Sequence, residues 1–468
     1  MTARRSHLSV SGRAFPNIDF LISLRPTNFK LGLENITNLL GKLGNPQHRV
    51  PTVLVGGTNG KGSVTTFIST ILQAYGLKVG TFYSPHLFRI NERIRVDGVE
   101  IPSPELDDIL GELREFYPEA PFTFFEGLTA AAILYFVREG ADITVFEVGL
   151  GGRLDATRLV NAMVTVITGI SRDHREHLGK TTLKILGEKL GIVRCGVPLI
   201  ANLNSTSLRK RSQKYCLRED APFFSVSDEV SATLKVLEPD RMVVDLRTPR
   251  RRYGDLVTRL IGTAQVRNIA TAVRAVEILL EAWRMKAPDG RHRGGGYRHS
   301  GTEKSLRSSF RARFVPLQAV REGIGNAFLA GRFQVLPGNP RVILDVSHNE
   351  EALLASLDTL LSFSRPERNV LIFGVQAHKE LGVFPKKAVR SAREIILTSL
   401  RDRRSARGAT LHDIFREAGS SAASVTASLT VARGMKHALR IARTTIRPQD
   451  VMLILGSHLT VEEAAAYI

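Results

Sequence analysis

A short apolar strand, a glycine-rich turn and an amphipathic segment follow one another near the start of this chain, and they constrain its fold more than any other feature. Residues 53–55 carry branched apolar side chains, which indicates a buried strand. Residues 56–62 contain four glycines, which let a backbone turn sharply and approach a ligand closely. Apolar residues then recur at helical spacing over residues 64–75, and Gly76 stands where a helix commonly ends. The pattern predicts a phosphate site, because backbone N–H groups and a helix dipole would face an anion.

Two side chains strengthen the prediction of a phosphate site. Lys61 adds a positive charge, and the Ser63 hydroxyl can hold Mg²⁺. The spacing is shorter than in the usual P-loop, whose first glycine would fall at Val55 and whose hydroxyl would fall at Gly62. The alternative is a glycine-rich connection without a ligand. A lysine between two glycines has no packing role, and this favours the phosphate site.

Polar residues also lie within or just after three other predicted strands. Ser84 follows the strand at residues 77–83, which is predicted to run parallel to the first strand, and His174 comes shortly after a strand at residues 163–167. Glu147 lies inside the apolar strand at residues 143–148, where a carboxylate is costly unless a cation meets it. A structural salt bridge is one interpretation of Glu147. A Mg²⁺ site formed by Ser84, Glu147 and His174 at one edge of the sheet is the other, and we favour it.

The chain has 468 residues, which is enough for two or three domains. Alternating strands and helices predict an α/β fold, with a mainly parallel sheet in the first domain and a smaller Rossmann-like domain after it. We predict a flexible tail at residues 1–17, a nucleotide-binding domain at 18–327 and a second domain at 328–468. A basic glycine-rich insertion at 284–313, with a net charge of +7, is predicted within the first domain.

Composition narrows the possible functions. No apolar run approaches twenty residues, so we expect no membrane span. The two cysteines, Cys195 and Cys216, suggest a reducing compartment, and we expect a cytoplasmic monomer. The net charge of +20 is compatible with a nucleic-acid partner or with attraction for small polyanions. Part of the surplus, +7, lies in the glycine-rich insertion rather than along a groove, and we therefore expect no nucleic-acid partner.

Eight ordered motifs give the chain a resemblance to a known family. They are G-T-N-G-K-G-S at 57–63, S-P-H-L with N-E-R-I within 84–94, F-E-G-L-T at 125–129, E-V-G-L-G-G-R-L-D-A-T at 147–157, D-H-x-x-x-L-G at 173–179, E-K-x-G-I at 188–192, G-R-F-Q at 331–334 and D-x-x-H-N at 345–349. Because these eight motifs occur in this order, the chain resembles the folylpolyglutamate synthase/dihydrofolate synthase family of the Mur ligase superfamily over residues 29–460.

The resemblance implies an ATP-dependent amide ligase. In such enzymes a carboxylate takes the γ-phosphoryl group of ATP, and the amine of L-glutamate attacks the resulting acyl phosphate. The implied acceptors are dihydropteroate and reduced folates, and the implied cofactors are two Mg²⁺ ions, K⁺ and a carbamylated lysine. Another Mur-type ligase, acting on a nucleotide-linked cell-wall precursor, remains an alternative, although it should lack the F-E-G-L-T segment. A nucleic-acid-dependent ATPase is a further alternative.

The resemblance also assigns roles to individual residues, position by position. Catalytic roles fall on Lys189, which matches the carbamylated lysine, and on Asp345 and His348, the latter near the glutamate site. The residues implied in ATP binding are Gly57, Thr58, Asn59, Gly60, Lys61, Gly62, Ser63, Asn268, Arg332 and Asp345. Ser84, Glu147 and His174 are implied as Mg²⁺ ligands, and Thr123, Phe125 and Asp155 as pterin contacts.

Three positions depart from the family pattern. Ala264 stands where the family usually has histidine before Gln265, Arg158 replaces an asparagine, and Glu350 replaces a proline. None of these changes removes an implied metal or phosphate ligand. They leave undetermined which residues contact adenine and which form the pterin pocket.

Overall fold

The computed structural model describes residues 15–24, 32–286, 315–420 and 427–468. Within these ranges the chain forms two α/β domains, as predicted, and an additional small antiparallel sheet. No helix in these ranges combines the length and the apolar character needed to cross a bilayer.

The strands are named β1 to β17 in chain order. They are Thr52–Gly56, Val79–Phe82, Ile94–Val96, Val99–Glu100, Ile143–Glu147, Ala162–Ile167, Leu199–Ala201, Phe223–Ser225, Ser231–Leu237, Met242–Arg247, Arg252–Thr258, Gln334–Leu336, Arg341–Asp345, Asn369–Phe373, Glu394–Thr398, Ser428–Ala432 and Val451–Leu455.

The α-helices alternate with these strands. They are Pro16–Ser23, Glu34–Lys42, Lys61–Ala74, Ser103–Glu115, Phe124–Arg138, Arg175–Leu178, Thr182–Lys189, Thr206–Arg218, Val226–Glu229, Gln265–Lys286, Leu317–Asn326, Glu350–Leu361, Phe384–Ser391, Gly408–Ser420, Met435–Thr445 and His458–Ala465.

The first domain is built on an eight-stranded sheet of order β4-β3-β2-β5-β1-β6-β7-β8. The strands from β2 to β8 in this order run parallel, while β3 and β4 form an antiparallel edge. The predicted parallel direction of β1 and β2 is confirmed, although β5 lies between them. All five residues of β1 are buried, since helices cover both faces of a parallel sheet.

The helix Lys61–Ala74 lies under the sheet and supports the region that leads into the second domain. Gly323, in the helix Leu317–Asn326, packs directly on it: a Cβ atom at residue 323 would lie 2.4 Å from the Ile71 Cα. Only glycine permits this close approach of two helix backbones. The second sheet begins at Gln334, so the predicted boundary after residue 327 falls between these two elements.

The strands β9, β10 and β11 form a separate antiparallel sheet that the sequence analysis did not predict. Buried side chains alternate with more exposed ones in β10 and β11, and half-buried side chains alternate with exposed ones over most of β9, as expected for a sheet with one face in the core. Buried Tyr253 donates a hydrogen bond to Glu277 at 2.8 Å and so ties this sheet to the helix Gln265–Lys286.

The second domain has a six-stranded sheet of order β12-β13-β17-β14-β15-β16, parallel except for β12. Four of its strands match the predicted ones, whereas β12 and β16 were missed. The helices on one face pack around Phe373, Phe384 and Phe415. Helices on both faces of a parallel sheet agree with the Rossmann-like prediction.

Two predicted segments fall partly outside the described residues. Residues 16 and 17 of the predicted tail lie in the first helix, where Asn17 hydrogen-bonds to Asp107, and residues 1–14 lie outside. The first three residues of the predicted insertion end the helix Gln265–Lys286, and residues 287–313 lie outside.

Candidate active site

The glycine-rich turn after β1 has the shape that the sequence predicts. The helix begins at Lys61 with Gly60 as its N-cap in the left-handed region, φ 82°, while Gly57 has φ 141°. Two residues just after the neighbouring strand β6 hold the turn: Gly169 accepts the N–H of Thr58 at 2.9 Å, and the Thr168 hydroxyl donates to the Asn59 carbonyl at 2.6 Å. The first turn of the helix Lys61–Ala74 is therefore a preformed anion site.

Lys61 lies across the turn rather than in bulk solvent. Its ammonium group donates a hydrogen bond to the carbonyl of Thr58 at 3.2 Å. Burial lowers the pKa of Lys61, whereas the carboxylate of Glu147 acts in the opposite direction. This half-buried cation is available to an anion bound at the turn.

A cleft of about 310 Å³ opens between the two domains beside the turn. The implied nucleotide residues Asn59, Gly60, Ser63, Asn268, Arg332 and Asp345 line it together. The sequence analysis missed other lining residues, namely Thr168, Arg267, Ser347, Glu351, Ser356 and Thr359. Ala264 and Gln265 also line this cleft, so the departure at residue 264 lies within it.

Asn268 and Asp345, two of the residues that line the cleft, are held in place by their neighbours. Gly60 faces Asn268 so closely that a Cβ atom at residue 60 would lie 2.4 Å from the Asn268 Oδ1, and Gln265 accepts a hydrogen bond from Asn268 at 2.8 Å. Asp345 is buried, which raises its pKa, and its carboxylate accepts hydrogen bonds from Ser356 and from the Ser347 N–H. The cleft is therefore lined by oriented polar groups.

A smaller cavity of about 100 Å³ lies on the other side of Lys61. It brings together the implied metal ligands Ser84, Glu147 and His174, the implied carbamylation site Lys189, and Arg332, His348 and His458 from the second domain. His458 was missed, although it follows the strand β17 by three residues and so lies at the same edge as His348.

Glu147 is the buried acid of this cavity. Its side chain is 3% exposed and accepts the N–H of Ser84 at 3.1 Å. Burial raises the pKa of Glu147, while the charges of Lys61 and Arg332 oppose that rise. No lysine or arginine among the described residues forms an ion pair with Glu147, so a simple salt bridge does not account for its burial.

Burial favours the uncharged forms of His174 and Lys189. Burial lowers the pKa of His174 to about 4. Burial and the nearby charge of Lys61 lower the pKa of Lys189 to about 7. The Lys189 amine donates to the Gly57 carbonyl at 2.7 Å and is 5% exposed. Both groups can therefore bind or react through a free electron pair near neutral pH.

Asp173 joins the two domains at this cavity. The second domain surrounds its carboxylate with Lys379 at 2.6 Å, His348 at 3.3 Å and the Asn349 amide at 3.1 Å. Burial favours the neutral acid, but the hydrogen bond and charge of His348 and the charge of Lys379 hold the pKa of Asp173 well below its usual range. The sequence analysis did not assign a role to Asp173 or Lys379.

A pair of amides extends this contact. The Asn349 side chain donates to Asn59 at 2.8 Å, and Asn59 donates to Asn349 at 3.2 Å and to Glu351 at 2.8 Å. Glu350, which replaces a proline of the family pattern, accepts the N–H of Val383 at 2.8 Å. The start of the helix Glu350–Leu361 is therefore tied both to the glycine-rich turn and to its own domain.

The three implied pterin contacts do not line either cavity. Thr123 caps the helix Phe124–Arg138 by accepting the Glu126 N–H, and Asp155 accepts the N–H groups of Leu150 and Thr157. Phe125 packs over Gly149, where a Cβ atom would lie 2.6 Å from the ring. Thr123 and Asp155 thus shape the backbone, and the half-buried ring of Phe125 lies next to the loop that lines the small cavity.

Comparisons with known families define the class of protein. Residues 55–276 match the Mur ligase middle domain, and residues 331–458 match the Mur ligase glutamate ligase domain. With the turn, the buried lysine and the two facing domains described above, these matches define an ATP-dependent ligase that forms carbon–nitrogen bonds.

Individual relatives identify the family within this class of ligases. The dihydrofolate synthase/folylpolyglutamate synthase of Bacillus subtilis is 32% identical over 357 residues, which cover 75% of this chain and 76% of that protein. This chain belongs to the dihydrofolate synthase/folylpolyglutamate synthase family. The structure of Escherichia coli FolC in complex with DHPP and ADP is 25% identical, with a TM-score of 0.79 and coverage of 97% of each chain. A bifunctional folylpolyglutamate synthase/dihydrofolate synthase bound to Mn, AMPPNP and L-glutamate, 24% identical, shares the fold with a TM-score of 0.75 over 96% of this chain and 97% of that one.

Proposed function

We propose that this chain uses ATP to join the α-amine of L-glutamate to the carboxylate of dihydropteroate and to the γ-carboxylate of reduced folates. The observation that carries the proposal is the small cavity, where the phosphate turn, a neutral lysine and the buried Glu147 meet Arg332 and His348 of the second domain. A reaction between three anionic substrates needs such a concentration of donors and cations.

ATP fits the interdomain cleft as a substrate. The glycine-rich turn, from Gly57 to Ser63, offers N–H groups to its phosphates, and Lys61 and Arg332 stand on either side. Asn268 and Asp345 line the wider part of the cleft, where the nucleoside would lie. The ADP bound to the E. coli relative and the AMPPNP bound to the other neighbour support this assignment.

A divalent ion fits the small cavity. Within the described ranges, no group of three or more His, Cys, Asp or Glu side chains could hold a metal ion by itself. Mg²⁺ usually takes one or two carboxylates and completes its shell with water and phosphate oxygens, so Glu147 with the Ser84 hydroxyl and the neutral His174 is a suitable set. The ion would neutralise phosphate charge. The second Mg²⁺ and K⁺ stay predictions from the resemblance.

Lys189 is suited to carbamylation. A neutral amine attacks CO₂, forming a nitrogen–carbon bond and releasing one proton, whereas an ammonium group cannot. The pKa of about 7 leaves much of the Lys189 amine neutral near physiological pH. The product is an anion in place of the amine beside Glu147 and His174, and it would add a carboxylate to that ligand set.

The remaining residues position and stabilise the reacting groups. When a carboxylate oxygen of the acceptor attacks the γ-phosphorus, the bond to ADP breaks, and Lys61 and Arg332 face the oxygens that gain charge. The glutamate amine then attacks the acyl carbon, phosphate leaves, and the amine loses a proton. His348 lines the cavity from the second domain, and we assign it to holding glutamate there. Phe125 is assigned to the pterin ring.

Measured ADP release tests the proposal. Purified protein with ATP, Mg²⁺ and glutamate should release ADP only when dihydropteroate or tetrahydrofolate is added, and mass spectrometry should show one added glutamyl unit per ADP. Comparing the two acceptors decides whether both synthase activities are present. Turnover stimulated by DNA or RNA, but by neither pteridine substrate, would show that the proposal is wrong.

A further inference from the structure

The second domain has a large groove away from the two cavities of the candidate site. Its volume is about 670 Å³. It lies between the helix Met435–Thr445 and the last helix, beside the carboxyl ends of β15 and β16. Ligands of open α/β sheets commonly bind at this edge of the sheet. Nothing in the proposed reaction uses the groove.

The groove is strongly basic. Its lining includes Arg401, Arg433, Lys436, Arg440 and Arg443, all exposed, and a single carboxylate, that of Glu463. Glu463 already accepts the backbone N–H of Arg401 at 2.7 Å. In the part of the chain that the structure describes, none of the five cations forms an ion pair with a carboxylate. The groove therefore carries a positive charge that the protein itself leaves uncompensated.

The arrangement of these cations is unfavourable for the helix alone. Lys436, Arg440 and Arg443 follow one another at helical spacing on a single face, where like charges repel. Arg433 and Lys436 also flank the N-terminus of the helix, where its dipole disfavours cations. An anion bound along this face would relieve both effects.

Tyr467 holds several of the cationic side chains of the groove in place. Tyr467 accepts hydrogen bonds from Arg401 at its hydroxyl, 2.5 Å, and from Arg443 at its carbonyl, 2.6 Å. Lys436 lies over the same ring at 6.0 Å. Leu400, Met435 and Leu439 form an apolar floor. The site thus suits a flexible ligand that carries several carboxylates joined by methylene groups.

We propose that this groove binds the oligo-γ-glutamyl tail of folates that already carry several glutamates. The proposal rests on the proposed function, since each added glutamate contributes an α-carboxylate and two methylene groups. His458 lines the reaction cavity at the end of β17, and one strand, β14, separates β17 from β15. At about 4.8 Å per strand the groove begins about 10 Å from the reaction cavity. When the terminal γ-carboxylate lies in that cavity, the three preceding glutamyl units reach the groove, and the pterin of such a long substrate leaves the Phe125 position that it takes in the monoglutamyl substrate.

Charge reversal of Lys436→Glu with Arg440→Glu tests the groove. The matched control is Lys210→Glu with Lys214→Glu, which has the same spacing and the same change of charge on the exposed face of the helix Thr206–Arg218. For the groove variant we expect the KM for a tetraglutamyl folate to rise about tenfold, and the KM for the monoglutamyl substrate to change less than about twofold. The control should change neither KM by more than about twofold.

Direct binding of free tetra-γ-glutamate, measured by calorimetry on the full chain, gives a second readout. The unmodified protein should bind it, the groove variant should not, and thermal unfolding should show that both are folded. Equal effects on both substrates, no effect on either, or binding of phosphate or RNA in the groove without binding of tetra-γ-glutamate would overturn the proposal. Absence of glutamate transfer to any folate by the unmodified protein would instead disprove the proposed function.

Discussion

The carboxyl edges of the two large sheets face each other, and they contribute opposite charges to the space between them. The first domain contributes the buried carboxylates of Glu147 and Asp173. The second domain contributes Arg332, His348 and Lys379, which surround those acids. The lysine partner of Asp173 lies in the second domain. The site is therefore complete only when the domains meet, and the ion pair of Asp173 with Lys379 is the most buried ion pair between them in the described residues.

The two edges also differ in how they hold their groups. In the first domain, Lys61, Lys189 and His174 have lowered pKa values because the sheet and its helices bury them. In the second domain, Lys379 reaches a partner in the other domain at 2.6 Å. The first edge thus lowers the pKa values of the reactive groups, and the second edge contributes contacts that position them. Variants on each edge should separate these two contributions.

Replacing Lys189 with alanine should have the largest effect. Loss of the amine removes the proposed carbamate, so turnover should fall by roughly 10³-fold. Added short carboxylic acids should restore part of the activity by entering the vacated space. The control is Lys184→Ala, an exposed position in the same helix. Full activity in the Lys189 variant would exclude a carbamate from the mechanism.

Replacing Glu147 with glutamine should reduce turnover by roughly 10²-fold, because a neutral amide binds Mg²⁺ weakly. The shape of Glu147 is kept, so the fold should remain, and the unfolding temperature without metal should not fall. A Mg²⁺ titration of activity measures the effect, with Glu139→Gln at a surface ion pair as the control. An unchanged Mg²⁺ requirement would show that Glu147 is structural.

On the second edge, Lys379→Met should lower kcat/KM by roughly 10- to 30-fold. Breaking a buried pair can cost about 3–5 kcal/mol, but His348 and Asn349 still reach Asp173, so the loss should be smaller. Lys387→Met is the control, because Lys387 and Asp358 are 33% and 53% exposed, whereas Lys379 and Asp173 are each 7% exposed.

Small-angle X-ray scattering should show a more open average shape for the Lys379 variant. Adding Asp173→Asn should restore part of the closure, since the unpaired acid is removed. If scattering and kinetics match those of the Lys387 control, the ion pair does not hold the domains together.

The smallest expected effect is the pH dependence of Lys189. Because its pKa is about 7 in the folded protein, the neutral fraction of the Lys189 amine, and with it carbamate formation, should rise about eightfold between pH 6 and pH 7.5, with a midpoint near 7. NMR with ¹³C-labelled bicarbonate measures it.

The same lowered pKa has a consequence for stability. The unfolded chain keeps this proton up to about pH 10, so this residue lowers the free energy of unfolding below that pH, most strongly below 7. The free energy of unfolding should rise with pH across this interval. A midpoint of carbamate formation above pH 9 would contradict the burial argument.

The sequence predicted the first edge better than the second. Ser84, Glu147 and the glycine-rich turn could be placed because each adjoins an apolar strand, and parallel strands bring their ends together. The pairing of Asp173 with Lys379 spans 206 positions and two domains, and no local pattern encodes it. The strand β16 was missed because most of its residues are exposed or half exposed at a sheet edge, and β9 because none of its residues is fully buried.

The helix that begins at the phosphate turn also contacts the connection between the domains at both of its ends. Gly323 packs on Ile71, and a Cβ atom at Gly62 would lie 3.1 Å from Leu329, three residues before Arg332. Any displacement of this helix by a bound nucleotide is passed to the second domain through close contacts. We therefore expect ordered kinetics, in which ATP adds first and glutamate, whose site includes the second domain, adds after it.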